Sequence, residues 1–458
     1  MFLYVLMLII TGFLIFLNLK YYKFDILSPS LLYNISMFVS IVCSIIGLSS
    51  WNDQTSLDIT TFLIVVFSVL FFNFGEFCVR FFVDKFSKKK NINLIDNKKK
   101  FPIEVSNVAT WKIVLELVFV VIVLSLVFSE VYRIAKIAGY KSGGLGAMIK
   151  AYRSTSILFS TKYIEAGASI NIIVAQLQKI MEVICYVNLY YLTNIFFVKK
   201  IVWRKYILYG TIVFLSFVSS LITGSRMQLL IYIVFFVVIL VLKLSNKFNY
   251  KEIIEKFWKK IVVGALIVVS LFYIILPLTG RKSEVGFIDY ATFYFGAPIP
   301  TLNIFINEPM DEPKVFGEET FRGIQNVLYK LKLSDYIQPI SKEWEHFYTD
   351  DNHKLSSNIY TSGKRYYFDF GLIGVIILQT INGAVMFSLY LLALSKKNMI
   401  FAIFFAMYAY TIIDQVRDEY LFSTFVHINT IFKFVVLCVG AYFLKYSIKW
   451  SGNNEVKN

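Results

Sequence analysis

Charged residues are scarce in this sequence, where Asp, Glu, Lys and Arg make up only 17% of the 458 residues. Soluble domains carry about 25% charged residues, and disordered chains are typically more polar still. Cysteine is scarce as well, with four residues, which excludes a small disulfide-stapled domain. Apolar residues reach 57%. This composition predicts a polytopic membrane protein.

Motifs for nucleotides and metals are absent from the sequence. There is no G-x-x-x-x-G-K-[ST] phosphate loop, which excludes a P-loop ATPase. There is no C-x-x-C or H-E-x-x-H pattern, so we predict no bound metal and no cofactor. The cysteines all fall within predicted spans, so no disulfide is expected. The net charge of +16 would suggest nucleic acid for a soluble domain, but here it reflects membrane topology, and no nucleic-acid partner is expected.

Eleven apolar segments are long enough to cross a bilayer, whose core needs about 20 residues of helix. Because irregular backbone cannot face lipid, we predict an all-α fold of about eleven transmembrane helices. The predicted spans are 1–19, 31–50, 59–83, 112–131, 169–198, 206–223, 227–243, 261–279, 367–394, 399–413 and 420–444. They divide the chain into helices 1–8 (1–279), which include an amphipathic external loop at 132–168, then a large external loop (280–366), then helices 9–11 with a tail (367–458).

Lysines set the predicted orientation of these spans. Short loops rich in lysine face the cytoplasm. If successive loops alternate between the two sides of the membrane from the first span onward, lysine-rich segments such as 85–100 and 243–260 lie on the cytoplasmic side. An odd number of spans then puts the N-terminus outside and the C-terminus in the cytoplasm. The first span is followed by Lys20 and Lys23 and lacks a cleavage site, so we predict a retained anchor.

Arginine is distributed in the opposite way. Seven of the nine arginines fall in predicted external segments: Arg133, Arg153, Arg226, Arg281, Arg322, Arg365 and Arg417. Topology needs only positive charge, whereas a guanidinium can hold phosphate or carboxylate through two parallel hydrogen bonds. The distribution favours an anion site on the outer face, although a large external loop also needs charges.

Four of these arginines lie where a span meets the outer surface, namely Arg226, Arg281, Arg365 and Arg417. Each alone could be an interfacial anchor. Four guanidinium groups converging at one depth would instead form a strong polyphosphate site. Arg153 lies on a stretch of the loop 132–168 that predicts an amphipathic interfacial helix.

Polar and aromatic residues add further candidates. Tyr366 and Tyr367 belong to an aromatic-rich region that suits either sugar rings or the aromatic belt of a membrane interface. Lys179 and Glu182 share one face of a predicted span. Charges inside a span are usually functional, although these two could simply neutralise each other.

Several short motifs follow one another in the second half of the chain. They are Thr223–Arg226, Tyr294–Pro300, Phe316-Gly317, Asn358–Tyr360, Tyr366-Tyr367, Asp369–Gly371 and Arg417 with Glu419-Tyr420. The order of these motifs, the side of the membrane on which they are predicted to lie, and the large external loop late in the chain together resemble the oligosaccharide repeat-unit polymerases. These are the O-antigen and capsule polymerases of the Wzy class. No single motif is specific to that family.

The resemblance implies a GT-C-like glycosyltransferase of the bacterial cytoplasmic membrane. Its substrate would be an undecaprenyl-pyrophosphate-linked oligosaccharide, carried in the membrane lipid and presented at the outer face. A flippase and a chain-length regulator would be its partners. Because the leaving group is already activated as a pyrophosphate, the resemblance implies neither nucleotide sugar nor metal.

The resemblance also implies roles for particular residues. Arg226, Arg281 and Arg365 would stabilise the departing pyrophosphate, and His353 is a candidate base. The substrate-binding candidates are Arg153, Lys179, Tyr366, Tyr367, Asp369 and Arg417. Asp369 could instead cap a helix or pair with Arg365.

Two other functions stay open. O-antigen ligases share a comparable layout, including an Arg-x-x-x-Leu that Arg226 and Leu230 match. A lipid-linked oligosaccharide flippase would be a transporter, expected to have short loops and charge along a central cavity. The long loop and the arginines at one surface favour the polymerase.

Overall fold

The computed structural model describes residues 1–48, 51, 56–90, 101, 108–156, 169–198, 201–279, 285–309, 312–336, 345–348, 354–396 and 398–445. Helices dominate this part of the chain, together with one two-stranded hairpin. Nine of the described helices are long and apolar enough to cross a membrane. The fold is therefore that of an all-α, membrane-embedded protein, as the composition predicts.

The helices up to residue 274 are α1 (Phe2–Tyr21), α2 (Pro29–Leu48), α3 (Ile59–Lys90), α4 (Thr110–Ile137), α5 (Leu145–Ser156), α6 (Ile172–Leu192), α7 (Trp203–Ile222), α8 (Met227–Leu244) and α9 (Tyr250–Ile274). The later elements are α10 (Phe287–Gly296), α11 (Pro298–Asn307), α12 (Arg322–Lys330), β1 (Glu345–Tyr348), β2 (Lys354–Ser357), α13 (Gly363–Lys396), α14 (Met399–Ile413) and α15 (Ile428–Lys445). The nine candidate spans contain α1 to α4, α6 to α8, α13 and α14.

Two predicted spans differ from the observed helices. The segment 261–279 is the second limb of α9, which bends by 46° after a polar first limb. The segment 420–444 is not one continuous α-helix: Leu421–Phe425 form a π-helical turn, at whose beginning the Glu419 carboxylate accepts hydrogen bonds from the N–H groups of Phe422 and Ser423, and α15 begins at Ile428. The number of helices that cross the membrane stays a prediction.

Glycines allow the central helices α3 and α13 to pack closely. A Cβ atom at Gly75 would lie 2.0 Å from the backbone oxygen of Thr380. A Cβ atom at Gly383 would lie 2.0 Å from the backbone oxygen of Phe72. Small residues at helix contacts are typical of membrane bundles, where van der Waals packing replaces the hydrophobic drive between helices.

The turn between α1 and α2 buries a carboxylate. Asp25 accepts a hydrogen bond of 2.7 Å from the Tyr390 hydroxyl and lies 3.6 Å from the Arg80 guanidinium. Arg80 also forms an ion pair with Glu76. Burial raises the pKa of Asp25 to about 6, although the charge of Arg80 opposes this shift.

Part of the segment predicted as the large external loop packs against the helix bundle. Ser40 and Ser44 of α2 donate side-chain hydrogen bonds to the backbone oxygens of Phe295 (2.8 Å) and Gly296 (2.7 Å). A Cβ atom at Gly296 would lie 2.6 Å from the α2 backbone, so the glycine permits this close contact. These contacts position α10 beside the beginning of α8, where the candidate site lies.

Candidate functional site

A tight turn between α7 and α8 begins the candidate site. Gly224 has a φ of +74°, and its N–H donates to the carbonyl oxygen of Leu221 (2.8 Å). The N–H of Ser225 donates to the carbonyl oxygen of Ser220 (2.9 Å). Such bonds satisfy the last carbonyls of a helix when a left-handed residue follows it. The turn places Arg226 directly before the first residue of α8.

Arg226 is buried, with only 3% of its surface exposed. Its guanidinium has no carboxylate partner among the described residues. It donates to the Tyr290 hydroxyl (2.9 Å) and to the carbonyl oxygen of Phe272 (3.4 Å). It also lies 4.4 Å from the centroid of the Phe272 ring. Within the described chain its Nε has no hydrogen-bond partner. Arg226 is therefore a buried cation held by neutral groups.

Arg153 of α5 lies beside Arg226. Its side chain packs on Gly224, where an added Cβ atom would lie 2.4 Å from Arg153 Cδ. One terminal nitrogen donates to the carbonyl oxygen of Thr279 (3.1 Å), and its buried Nε has no partner among the residues described. Burial, and then the positive charge of Arg226, lower the pKa of Arg153. The two guanidinium groups thus form a repulsive pair, which we call the arginine pair.

Arg417 lies on the other side of an aromatic wall formed by α10. Its guanidinium is 4.3 Å from the centroid of the Tyr294 ring and 3.1 Å from the sulfur of Met227. Tyr294 stacks on Tyr290, with 6.1 Å between the ring centroids. Unlike the arginine pair, Arg417 has a carboxylate partner, Asp414, at 3.2 Å. Burial opposes the charge of Arg417, but Asp414 overcomes this effect and raises its pKa.

An apolar cleft opens beside Arg226, between α8, α9 and α10. It is lined by Leu230, Val269, Phe272, Phe287, Tyr290, Ala291, Tyr294 and Phe295. Two of these residues, Phe272 and Tyr290, also contact the Arg226 guanidinium. The cleft therefore has apolar walls and a cationic end.

Arg365 is engaged by carboxylates. Its Nε and Nη2 donate to the two carboxylate oxygens of Asp418 (2.7 and 2.8 Å), and its Nη1 donates to the carbonyl oxygen of Glu319 (3.1 Å). Asp369 accepts backbone hydrogen bonds from Glu319 and Thr320, the latter at 2.6 Å. Asp369 thus binds the segment before α12 rather than Arg365. Together these contacts attach that segment to the beginning of α13.

Tyr366 and Tyr367 contribute to packing. Tyr366 is fully buried, and its hydroxyl donates to the Glu419 carboxylate (3.1 Å). Tyr367 is half-buried against the main apolar core. Because a buried ring cannot stack on a sugar, Tyr366 contributes to the core in this structure.

Lys179 and Glu182 each contact a polar side chain of α15. Lys179 donates to the side-chain oxygen of Asn429 (2.8 Å), and Glu182 forms an ion pair with Lys433 (2.8 Å). These contacts form because α15 packs against this face of α6. The Glu182 carboxylate also accepts from the Tyr186 hydroxyl (3.3 Å), which extends the polar surface toward α8.

Two sequence candidates, Arg281 and His353, lie outside the described residues. Among the residues that the structure does describe, no three His, Cys, Asp or Glu side chains come together as a metal site would require. Sequence reasoning missed Tyr290 and named Tyr294 only as the beginning of a motif; their spacing of four along a helix could have indicated one shared face.

A scan against family models finds no match, and neither curated proteins nor solved structures show significant similarity to this chain. The functional argument therefore depends on the geometry of the site.

Proposed function

We propose that this chain polymerises undecaprenyl-pyrophosphate-linked oligosaccharide units on the outer face of the bacterial cytoplasmic membrane. It would be a metal-independent, GT-C-like glycosyltransferase oriented with its N-terminus outside. One observation carries the proposal: buried Arg226 and half-buried Arg153 have no carboxylate partner in the described chain, and Arg226 adjoins an apolar cleft.

The arginine pair is suited to a multiply charged anion. Two like charges in a partly buried position repel each other and pay a desolvation penalty, which an anionic ligand would offset. A pyrophosphate offers several oxygens to the planar forks of Arg153 and Arg226. Inorganic anions would satisfy the charges too, but they would leave the adjoining cleft empty.

The apolar cleft supports a lipid-linked pyrophosphate. A polyprenyl carrier has an apolar chain attached directly to the anionic group. The cleft offers aliphatic and aromatic walls that end at Arg226, in the same order. Burying apolar surface contributes about 25 cal/mol per Å². Because the cleft has a volume of only about 20 Å³, it would hold the first apolar atoms next to the pyrophosphate, and the rest of the chain would lie in the lipid.

The proposed reaction transfers the growing glycan to an incoming unit. A hydroxyl of the incoming unit attacks the anomeric carbon of the glycan, the bond from that carbon to the pyrophosphate oxygen breaks, and a base accepts the hydroxyl proton. Negative charge increases on the departing undecaprenyl pyrophosphate, so fixed guanidinium groups stabilise the transition state more than the ground state. Removal of one such preorganised donor typically costs about 100–1000-fold in rate.

Other candidates support this chemistry in the proposal. Arg281 follows Thr279, whose carbonyl oxygen binds Arg153, by two positions and would add a third cation. His353 is the proposed base. Arg417, which contacts the aromatic wall at Tyr294, would bind the substrate near the pyrophosphate. Lys179 would line the path of the glycan.

We assign Arg365, Tyr366 and Asp369 to positioning in this proposal. Their polar groups already hold the external segment and the turn before α15. The loss of any one would destabilise the placement of these segments without removing a contact to the pyrophosphate.

A flippase is the second candidate, and the ion pair of Glu182 with Lys433 at membrane depth favours it. A ligase would use the same pyrophosphate site with a different acceptor. The three functions predict different products from the same lipid-linked donor.

To test the proposal, the purified protein is incubated with lipid-linked repeat units of its host, without added nucleotide sugar, ATP or metal. A polymerase produces a ladder of glycans, which Arg226→Ala should abolish. Arg133→Ala is the matched control, because Arg133 is an exposed arginine paired with Glu130. Transfer of lipid-linked units across proteoliposomes without a ladder would identify a flippase. A ladder that persists in Arg226→Ala would refute the role of the arginine pair.

A further inference from the structure

Helix α12 has one apolar face. Ile324, Val327, Leu328 and Leu331 follow the spacing i, i+3, i+4 and i+7, which places them on one side of a helix. Ile324 is 40% exposed, and Leu331, which follows the last residue of the helix, is 62% exposed. Asn326 lies on the other side and is exposed to solvent. The apolar face is thus only partly covered by the described chain.

The flank of α12 rests on the turn that precedes α15. A Cβ atom at Gly323 would lie 2.9 Å from the His427 ring. The ring of Phe321 packs edge-on against that of Phe422, with 5.1 Å between the centroids. These contacts fix α12 beside the beginning of α15 and leave its apolar face turned outward.

Helix α15 carries a lipid-facing stripe that begins at the same place. Ile428, Ile431, Val435 and Val439 lie on one side of the helix and are between 53% and 66% exposed. An apolar stripe of this kind on a membrane helix faces acyl chains. Val426, in the turn beneath α12, is exposed as well.

We infer that α12 is an interfacial helix whose apolar face lies in the boundary between headgroups and acyl chains. The lipid bilayer is the occupant, because the turn that α12 contacts, which contains exposed Val426, leads directly into the exposed apolar stripe of α15. A short helix with one apolar and one polar face binds a membrane in this manner. Lys332, two residues after the end of the helix, is exposed and would reach the headgroup phosphates.

This arrangement has a structural consequence for the external segment. Asp369 and Arg365 attach residues 319–320 to the beginning of α13, and α12 begins two residues later. The segment is therefore held at one end by hydrogen bonds to the bundle and at the other by the membrane surface. The inference is independent of the proposed enzymatic activity.

Spin labels on the full-length protein test the inference. In a variant in which the four native cysteines are replaced, single cysteines are introduced by Ile324→Cys, Leu331→Cys and Asn326→Cys, with Ile428→Cys as the lipid-facing reference. The protein is placed in nanodiscs of phosphatidylethanolamine and phosphatidylglycerol. Collision rates are then measured with oxygen, which concentrates in acyl chains, and with a water-soluble nickel chelate.

Labels at 324 and 331 should collide several-fold more with oxygen than with the chelate, as the label at 428 does. The label at 326 should show the reverse. Preference for the chelate at 324 and 331 would place the helix in water and overturn the inference. Protection from both reagents would overturn it as well, because a protein partner or a second copy would then cover the face.

Discussion

Gly224→Ala tests whether the turn before α8 positions Arg153. The new methyl group would lie 2.4 Å from Arg153 Cδ and 2.8 Å from its Cγ, so the arginine side chain has to move. The φ of +74° adds strain of about 1–2 kcal/mol for a residue with a Cβ atom. We therefore expect a less stable protein in which the guanidinium of Arg153 is displaced from its partner, the carbonyl oxygen of Thr279.

The expected loss of affinity follows from the bond that the displaced guanidinium can no longer make. A hydrogen bond between charged groups contributes about 1.5–3 kcal/mol. Since about 1.4 kcal/mol corresponds to a factor of ten, the Kd for a short-chain probe, geranylgeranyl pyrophosphate, should rise about 10–150-fold. Thermophoresis of the detergent-solubilised protein measures this change.

Gly139→Ala is the matched control for backbone strain. Gly139 has a φ of +89°, and an added Cβ atom would meet nothing within 4 Å. This variant should lose stability by a similar amount and keep its Kd. In an Arg153→Ala background, Gly224→Ala should change the Kd less than twofold, because neighbouring residues that act through one contact are not additive. An equal loss of affinity in both backgrounds would refute the reasoning.

Three further predictions concern charged groups elsewhere in the fold. Burial raises the pKa of Asp25 to about 6, so its stabilising contribution is complete below about pH 4 and is lost as the pH rises through 6, at a cost of about 3 kcal/mol. Asp25→Asn should therefore raise the melting temperature at pH 8 and not at pH 4. An equal shift at both pH values would contradict this. Arg365→Lys cannot contact both oxygens of Asp418, so it should lower the melting temperature while the Kd for geranylgeranyl pyrophosphate stays unchanged. Lys433→Met leaves Glu182 unpaired and should cost about 1–3 kcal/mol in thermal unfolding, most of which a second change, Glu182→Gln, should restore.

Hydropathy located the helices because long apolar runs leave few alternatives in a membrane. The beginning of α15 shows the limit of that reasoning. Residues 420–427 are nearly as apolar as the helix that follows, yet they lie outside α15. The Glu419 carboxylate accepts hydrogen bonds from the N–H groups of Phe422 and Ser423 at the beginning of a π-helical turn (Leu421–Phe425), and the chain leaves this turn at Val426 before α15 begins. Average hydropathy does not distinguish such a turn from the α-helix that follows it.

The sequence predicts which residues belong to the site where residue type decides this. It does not predict which side chains these residues contact. Arg226 and Arg153 were both candidates from the sequence, and the structure brings them together. Arg365 and Arg417 were candidates on the same grounds, but each is neutralised by a nearby carboxylate. The acidic residues around Arg417 were a signal for this outcome, since Asp414 precedes it by three positions. The partner of Glu182 lies about 250 residues away and could not be read from local spacing.

Compensation by carboxylates therefore separates two kinds of buried arginine in this protein. Arg417 stabilises the fold through Asp414, whereas Arg226 has no carboxylate in the described chain and is held by Tyr290 and a carbonyl oxygen. A buried charge without a counter-ion costs stability, which a bound anion would offset further than these neutral partners do. Arg417→Met should thus lower the melting temperature of the ligand-free protein, because it leaves Asp414 unpaired. Arg226→Met should keep or raise it.

The same two variants should differ when an anion is present. A ligand that binds only the folded state raises stability by about 2.7 kcal/mol at 100 times its Kd. Geranylgeranyl pyrophosphate should therefore raise the melting temperature of the native protein, and Arg226→Met should remove this increase. If Arg226→Met instead destabilises the ligand-free protein as much as Arg417→Met does, Arg226 is a structural residue, and the cationic end of the cleft is part of the fold rather than a site that awaits an anion.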